Sequence, residues 1–123
     1  MRFLTEEEYK IASRFLFLSM AIIVIRQDIR HVEQGVFKIK DPYINQLHNM
    51  ESQSLAERKK LRKEMKKQEM DVITLHKNDS FSSFLFLCRG REEKRNFFNP
   101  AIRKKVEAII QEQLFKVSMS KES

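Results

Sequence analysis

A chain of 123 residues with 41% hydrophobic and 33% charged side chains carries enough apolar surface for one domain, since about 120 residues can bury more than half of what the unfolded chain exposes. Two glycines and two prolines are too few turn-formers for a many-stranded sandwich or barrel, so a mainly α fold is expected. A single cysteine excludes an intramolecular disulfide and a thiolate zinc cluster within one chain, and a net charge of +7 points toward acidic partners.

The first predicted helix runs from about residue 5 to 34. Thr5 is its N-cap and Glu8 completes a capping box, with Glu6 and Glu7 at the positive helix end. Ile11, Phe15, Leu18, Ile22, Ile25, Ile29 and Val32 then recur at steps of four and three, an apolar stripe along the whole helix. Leu16, Phe17, Met20, Ala21, Ile23 and Val24 make the middle apolar nearly all round, so this helix must be covered on several sides. Either the other elements wrap it or a second copy does, which makes a homodimer through the first helix an alternative. Gly35 stands where a left-handed C-cap residue would end it. The apolar run from Phe15 to Ile25 is interrupted by Ser19 and bounded by Arg14 and Arg26, too short to cross a hydrocarbon layer of about 30 Å. Acid precedes that run and no small-residue cleavage site follows it, so a cytoplasmic location is expected.

Asp41-Pro42 reads as an N-cap followed by proline at the first helical position, opening a second helix over about 42–69. Its apolar set, Tyr43, Ile44, Leu47, Met50, Leu55, Leu61 and Met65, is thin enough to leave much of the helix wet. Beyond Met70 the apolar period falls to about two, and Lys77 to Ser80 separate two short runs, so a β-hairpin or short strand element is expected near 71–88. The rival reading is a helix from Phe81 to Arg95, capped by Asp79 or Ser80. Asn99-Pro100 repeats the cap-then-proline start, and Ile102, Val106, Ile109, Ile110 and Leu114 stripe a third helix over about 100–115. One helical domain over 1–117 and a flexible polar tail over 118–123 follow.

The chemistry-bearing feature is the decapeptide 58–67, with seven basic residues and one acidic residue, a net +6. On a helix Lys59, Arg62, Lys63 and Lys66 share one face while Leu61 and Met65 turn another toward the protein. Arg58, Lys67, and Arg103 and Lys104 at the start of the third helix complete the candidate anion-binding set. The expected partner is nucleic acid, through phosphate contacts, or an acidic protein surface. A charged helix face that is merely solvated is the plainer alternative, and a lipid surface is disfavoured because no Trp or Phe lies opposite the lysines.

Two further groupings are weaker. Asp28 with His31 and His48 with Glu51 have helical spacings that an antiparallel packing of the two helices would bring toward a metal site, though hydrogen-bonded or exposed histidines are commoner. Cys88 lies in a Phe- and Leu-rich run, as a packing cysteine does. No Gly-rich phosphate loop, nucleophile turn or dinucleotide fingerprint is present. No catalytic residue, metal, cofactor or small-molecule substrate is therefore expected.

Arg89-Gly90-Arg91-Glu92-Glu93, followed by Asn96-Phe97-Phe98-Asn99-Pro100-Ala101-Ile102-Arg103-Lys104-Lys105-Val106-Glu107, resembles the YhjD-like small proteins of Bacillus, related Gram-positive bacteria and their phages. The likeness extends to residues 31–40. It implies a bacterial or prophage origin and brings no assigned activity or catalytic residues.

Overall fold

The computed structural model describes residues 3–121. Three helices and one three-stranded antiparallel sheet follow in the order α1 (Glu6–Gln34), α2 (Asp41–Lys67), β1 (Met70–Lys77), β2 (Phe81–Cys88), β3 (Arg91–Phe98) and α3 (Asn99–Lys121). The fold is mainly α, with a small sheet at one end.

α1 begins with the predicted capping box: the Glu8 amide donates to Thr5 Oγ1 at 3.2 Å and the Thr5 amide to Glu8 Oε1 at 2.8 Å. Phe15, Leu18, Ile22, Ile25 and Ile29 of its stripe are buried and Ile11 and Val32 half-buried, and the cover comes from the same chain. Ile25 and Ile29 pack with Met50 of α2 and Val117 of α3. Leu18, Ala21 and Ile22 meet Val106 and Ile109 of α3. Ala12 and Phe15 meet Phe84 and Phe86 of the sheet and Met65 of α2. Ile23 is the one large apolar side chain of α1 left exposed, so the demand for a second copy over this helix disappears.

Gly35 ends α1, but not in the left-handed form expected of it. Its φ of −75° and ψ of 171° are extended. Space is tight there instead: a Cβ would lie 2.8 Å from the Phe37 ring and 3.0 Å from the His31 carbonyl, so a side chain would have to displace that exposed ring. At the next helix Lys40, not Asp41, precedes the first turn, and its carbonyl accepts from the amides of Tyr43 and Ile44 at 3.0 Å. Asp41 is itself the first helical residue, an acid at the positive helix end with Pro42 beside it. α2 stops at Lys67 rather than 69, because Glu69 adopts a φ of 52° and turns the chain into β1.

The expected hairpin is present, and the helix alternative over Phe81 to Arg95 is overturned. β2 pairs with β1 through Met70↔Cys88 to Lys77↔Ser82, with a bulge between Thr74 and His76. The apolar run of β2 splits by face: Phe84, Phe86 and Cys88 point inward and are fully buried, while Leu85 and Leu87 stay half-buried. β3 was not expected. Its sequence, Arg-Glu-Glu-Lys-Arg-Asn-Phe-Phe, has no β-branched residue and little apolar alternation. What makes it a strand is the two-residue turn Arg89-Gly90, with φ of 50° and 80°, closing the pair Cys88↔Arg91. Two successive positive φ values match the twist of an antiparallel hairpin, and main-chain pairing with β2 supplies the rest.

Asn99 fastens α3 to the sheet. Its amide donates to the Ser80 carbonyl at 2.9 Å, its Nδ2 to the Asn78 carbonyl at 2.8 Å, and its Oδ1 accepts from Ser82 Oγ at 2.8 Å. α3 then runs past 115 to Lys121, so residues 118–121, read as tail, continue the helix; residues 122 and 123 lie outside the described residues. Val117, buried beside Ile25 and Ile29, explains the extension.

β3 is also tied to the start of α1. Both guanidinium nitrogens of Arg91 donate to the Glu8 carboxylate, at 2.8 and 2.7 Å. This pairing, helped by the Thr5 amide, holds the Glu8 carboxyl at about 2, below its ordinary 4.5. A carboxyl whose folded pKa is depressed stabilises the fold above its unfolded pKa, and that contribution is lost as pH falls toward the folded value. Wild type is therefore expected to exceed Arg91→Met in urea midpoint at pH 7, the gap shrinking as pH drops from about 4.5 to about 2. A gap that stays constant over that range would assign the Arg91 effect to packing.

Candidate functional site

α2 turns Leu61 and Met65 inward, as its spacing requires, with Met65 fully buried and Leu61 half-buried. The opposite flank therefore carries the cations. Leu55, Arg58, Lys59, Arg62, Lys63 and Lys66 line a groove of about 500 Å³. Past Leu55 and Arg58 it continues into a hollow of about 360 Å³ bounded by Ser19, Ile22, Ile23 and Arg26 of α1. The site is a basic trough along the α1–α2 seam with aliphatic side chains set into it.

The two arginines of α2 are fixed and the lysines are not. Arg58 Nε donates to Ser19 Oγ at 2.8 Å, and its guanidinium lies 4.5 Å from the centre of the Phe15 ring. Arg62 shares that ring at 5.6 Å and has Asp71 at 3.6 Å. Stacking on an aromatic face orients a guanidinium without neutralising it. Lys59, Lys60, Lys63, Lys66 and Lys67 have no ion pair among the described residues, and all five are exposed. Glu64, the one acid of the run, instead accepts from Gln68 Nε2 at 3.0 Å. The positive charge thus stands outward, largely uncompensated. At the far end of the hollow Arg26 is engaged by Glu51 at 2.6 Å.

Five of the eight residues singled out from the sequence, Arg58, Lys59, Arg62, Lys63 and Lys66, line this groove together. Lys67 is exposed but does not line it. Arg103 and Lys104 do not join it either, because the face of α2 that meets α3 carries Gln46, Gln53 and Glu57, whose partners are Ser118 and Gln113. Arg103 pairs with Glu107 at 3.5 Å and borders a separate depression beside Lys77 and Asn78, and Lys104 is exposed. The contributions of Phe15, Ser19 and Arg26 were missed. Ser19 and Arg58 are 39 positions apart, so no local pattern links them.

The remaining candidates separate. His48 Nδ1 lies 3.5 Å from Glu51, which Arg26 already occupies, while Asp28 and His31 border an apolar cavity at the end of the bundle. Among the described residues no three metal-ligating side chains gather at one point. Cys88 is buried, its thiol donates to the Gln68 carbonyl at 3.4 Å, and burial pushes its pKa up, away from a reactive thiolate. No described helix is long and apolar enough to cross a membrane.

The chain is 34% identical over 114 residues to the uncharacterized protein YhjD of Bacillus subtilis (strain 168), an alignment covering 91% of this chain and 93% of the relative. No solved structure matches it. The family model described as YhjD protein matches residues 3–118, from the residues just before the capping box of α1 into the last turns of α3. The chain belongs to the YhjD protein family.

Proposed function

We propose that this is a non-enzymatic regulatory or accessory protein that docks on nucleic acid through the basic trough of α2. One observation carries the reading: the lysines of residues 58–67 lie outward along one helix without carboxylate partners, beside two arginines already ordered on Phe15. Ordered arginines lose little further freedom on meeting a phosphate, and unpaired lysines release counterions when they do. Phosphate contacts of this kind position a duplex or a strand without reading bases, so sequence-tolerant binding is expected.

If Lys59, Arg62, Lys63 and Lys66 neutralise about four phosphates, affinity falls roughly 50- to 150-fold between about 50 and 200 mM salt. Replacing all four with Glu is expected to abolish binding to DNA and RNA in a filter or fluorescence-anisotropy titration. Arg103→Glu with Lys104→Glu, away from the trough, serves as the control and is expected to weaken binding far less. Undiminished binding by the quadruple variant would remove the trough from consideration.

An acidic protein partner is the second reading, favoured by the exposed Ile23 and Leu55 set among the cations. Nuclease treatment separates the two: a complex lost on digestion carries nucleic acid, and one that survives it while remaining sensitive to the four reversals carries an acidic protein.

A further inference from the structure

The end of the helical bundle away from the sheet places a concave and a convex feature side by side. A cavity of about 580 Å³ opens between the three helices, floored by Val32 of α1, Leu47 and Met50 of α2 and Ile110 of α3. Asp28 stands on its margin. Next to it the α1–α2 connection carries Val36-Phe37-Lys38-Ile39, in which Val36 is fully exposed and Ile39 is 67% exposed.

This connection is held in shape. The Phe37 ring packs against Gly35, where a Cβ would lie 2.8 Å away, and reaches Tyr43 at 6.2 Å between ring centres. Lys40 Nζ donates to the Glu33 carbonyl at 2.8 Å and braces the same segment. With Phe37 at the cavity wall, Val36 and Ile39 are left facing outward. Lys38 between them is exposed, and neither it nor Asp28 has an ion pair among the described residues.

We propose that this end of the bundle is a homodimer interface, in which Val36 and Ile39 of each copy enter the cavity of the other and Lys38 of one meets Asp28 of the second. Charge and shape both favour a second copy as the occupant. An apolar loop with one central lysine complements an apolar cavity with one marginal aspartate, and both lie on the same face of every molecule. A two-fold axis between them makes each contact twice. Val36, Phe37, Ile39, Tyr43 and Leu114 together expose on the order of 500 Å² of largely apolar surface, at the top of what a monomer tolerates. That is more than half of the roughly 800 Å² per partner of a standard stable interface. The seam is also separate from the basic trough, so association and anion binding are tested independently.

Sedimentation equilibrium of the full chain is expected to give twice the 14.8 kDa monomer mass. Ile39→Glu, at an exposed position, is expected to leave a monomer with an unchanged circular dichroism spectrum. Asp28→Lys and Lys38→Glu are each expected to weaken the dimer at least roughly 10-fold, and their combination to restore it, because the swapped charges attract again. A wild-type monomer at about millimolar concentration overturns the proposal, whether or not the cavity takes up a hydrophobic dye. So does a dimer indifferent to Ile39→Glu, or a double variant no tighter than the single ones.

Discussion

Phe86→Ala is expected to lower the stability of the fold by about 3–5 kcal/mol, read as a fall in the urea midpoint with little change in slope. Phe86 is fully buried on the central strand, its ring meets Tyr9 edge-on at 4.9 Å, and it shares a cluster with Phe15, Met65 and Phe84. That cluster holds the sheet to α1 and α2, so the cavity would open where all the layers meet and the surroundings have little freedom to collapse into it. Phe98 provides the comparison. It is 61% exposed and among the described residues its one ring contact is with Phe81, at 4.6 Å, so Phe98→Ala is expected to cost about 1 kcal/mol or less. Equal losses at the two positions would mean that the sheet contributes little to the core.

Replacement of Glu57 by Leu is expected to cost about 1–3 kcal/mol, more than removal of the three side chains at the centre of its network. Arg14 Nε donates to Glu57 at 2.6 Å, and Arg14 also reaches Glu112 of α3. Gln113, fully buried, donates to Glu57 at 3.1 Å and accepts from Gln53. These residues join three helices through one polar node. Paired this way, Arg14 is held above its ordinary pKa, by Glu57 first, and Glu57 below its own. Removing Glu57 alone leaves Arg14 to Glu112 and Gln113 to Gln53, each short of one partner in a half-buried site. Replacing its centre together, as Arg14→Met with Glu57→Leu and Gln113→Leu, substitutes apolar packing for those three side chains, leaves Glu112 with Lys116 and Gln53 with the Gln113 carbonyl, and is expected to recover much of the loss. A triple variant whose loss equals the sum of its single losses would show that the three side chains act independently.

Much of this architecture is written in local pattern. The four-and-three spacing from Ile11 to Val32 marks a helix, the apolar residues between Leu16 and Val24 show that it is covered on several sides, and Thr5 with Glu8 fixes where it starts, because capping and periodicity act within a few residues. Asn99-Pro100 marks the third helix in the same way. The decapeptide 58–67 displays its charge in one dimension, and once α2 is a helix with Leu61 and Met65 inward, Lys59, Lys63 and Lys66 must stand along the opposite flank.

Other features depend on residues far apart in sequence, and there only the tertiary structure decided. β3 has almost no strand propensity of its own and becomes a strand because Arg89-Gly90 folds it back onto β2, whose main-chain groups need partners. Gly35 has the place of a left-handed cap, yet its backbone is extended and what crowds it is the Phe37 ring and the His31 carbonyl. α3 extends to Lys121 because Val117 finds Ile25 and Ile29, about ninety positions earlier, and not because of any signal in its polar end. The trough follows the same rule: its lysines are visible in the chain, but which cations line it was settled when α1 brought Phe15 and Ser19 beneath Arg58 and α3 packed on the opposite flank, carrying Arg103 and Lys104 away. Short-range order is set by backbone geometry and side-chain spacing; the composition of a surface shared by two helices is set by how their buried faces interlock.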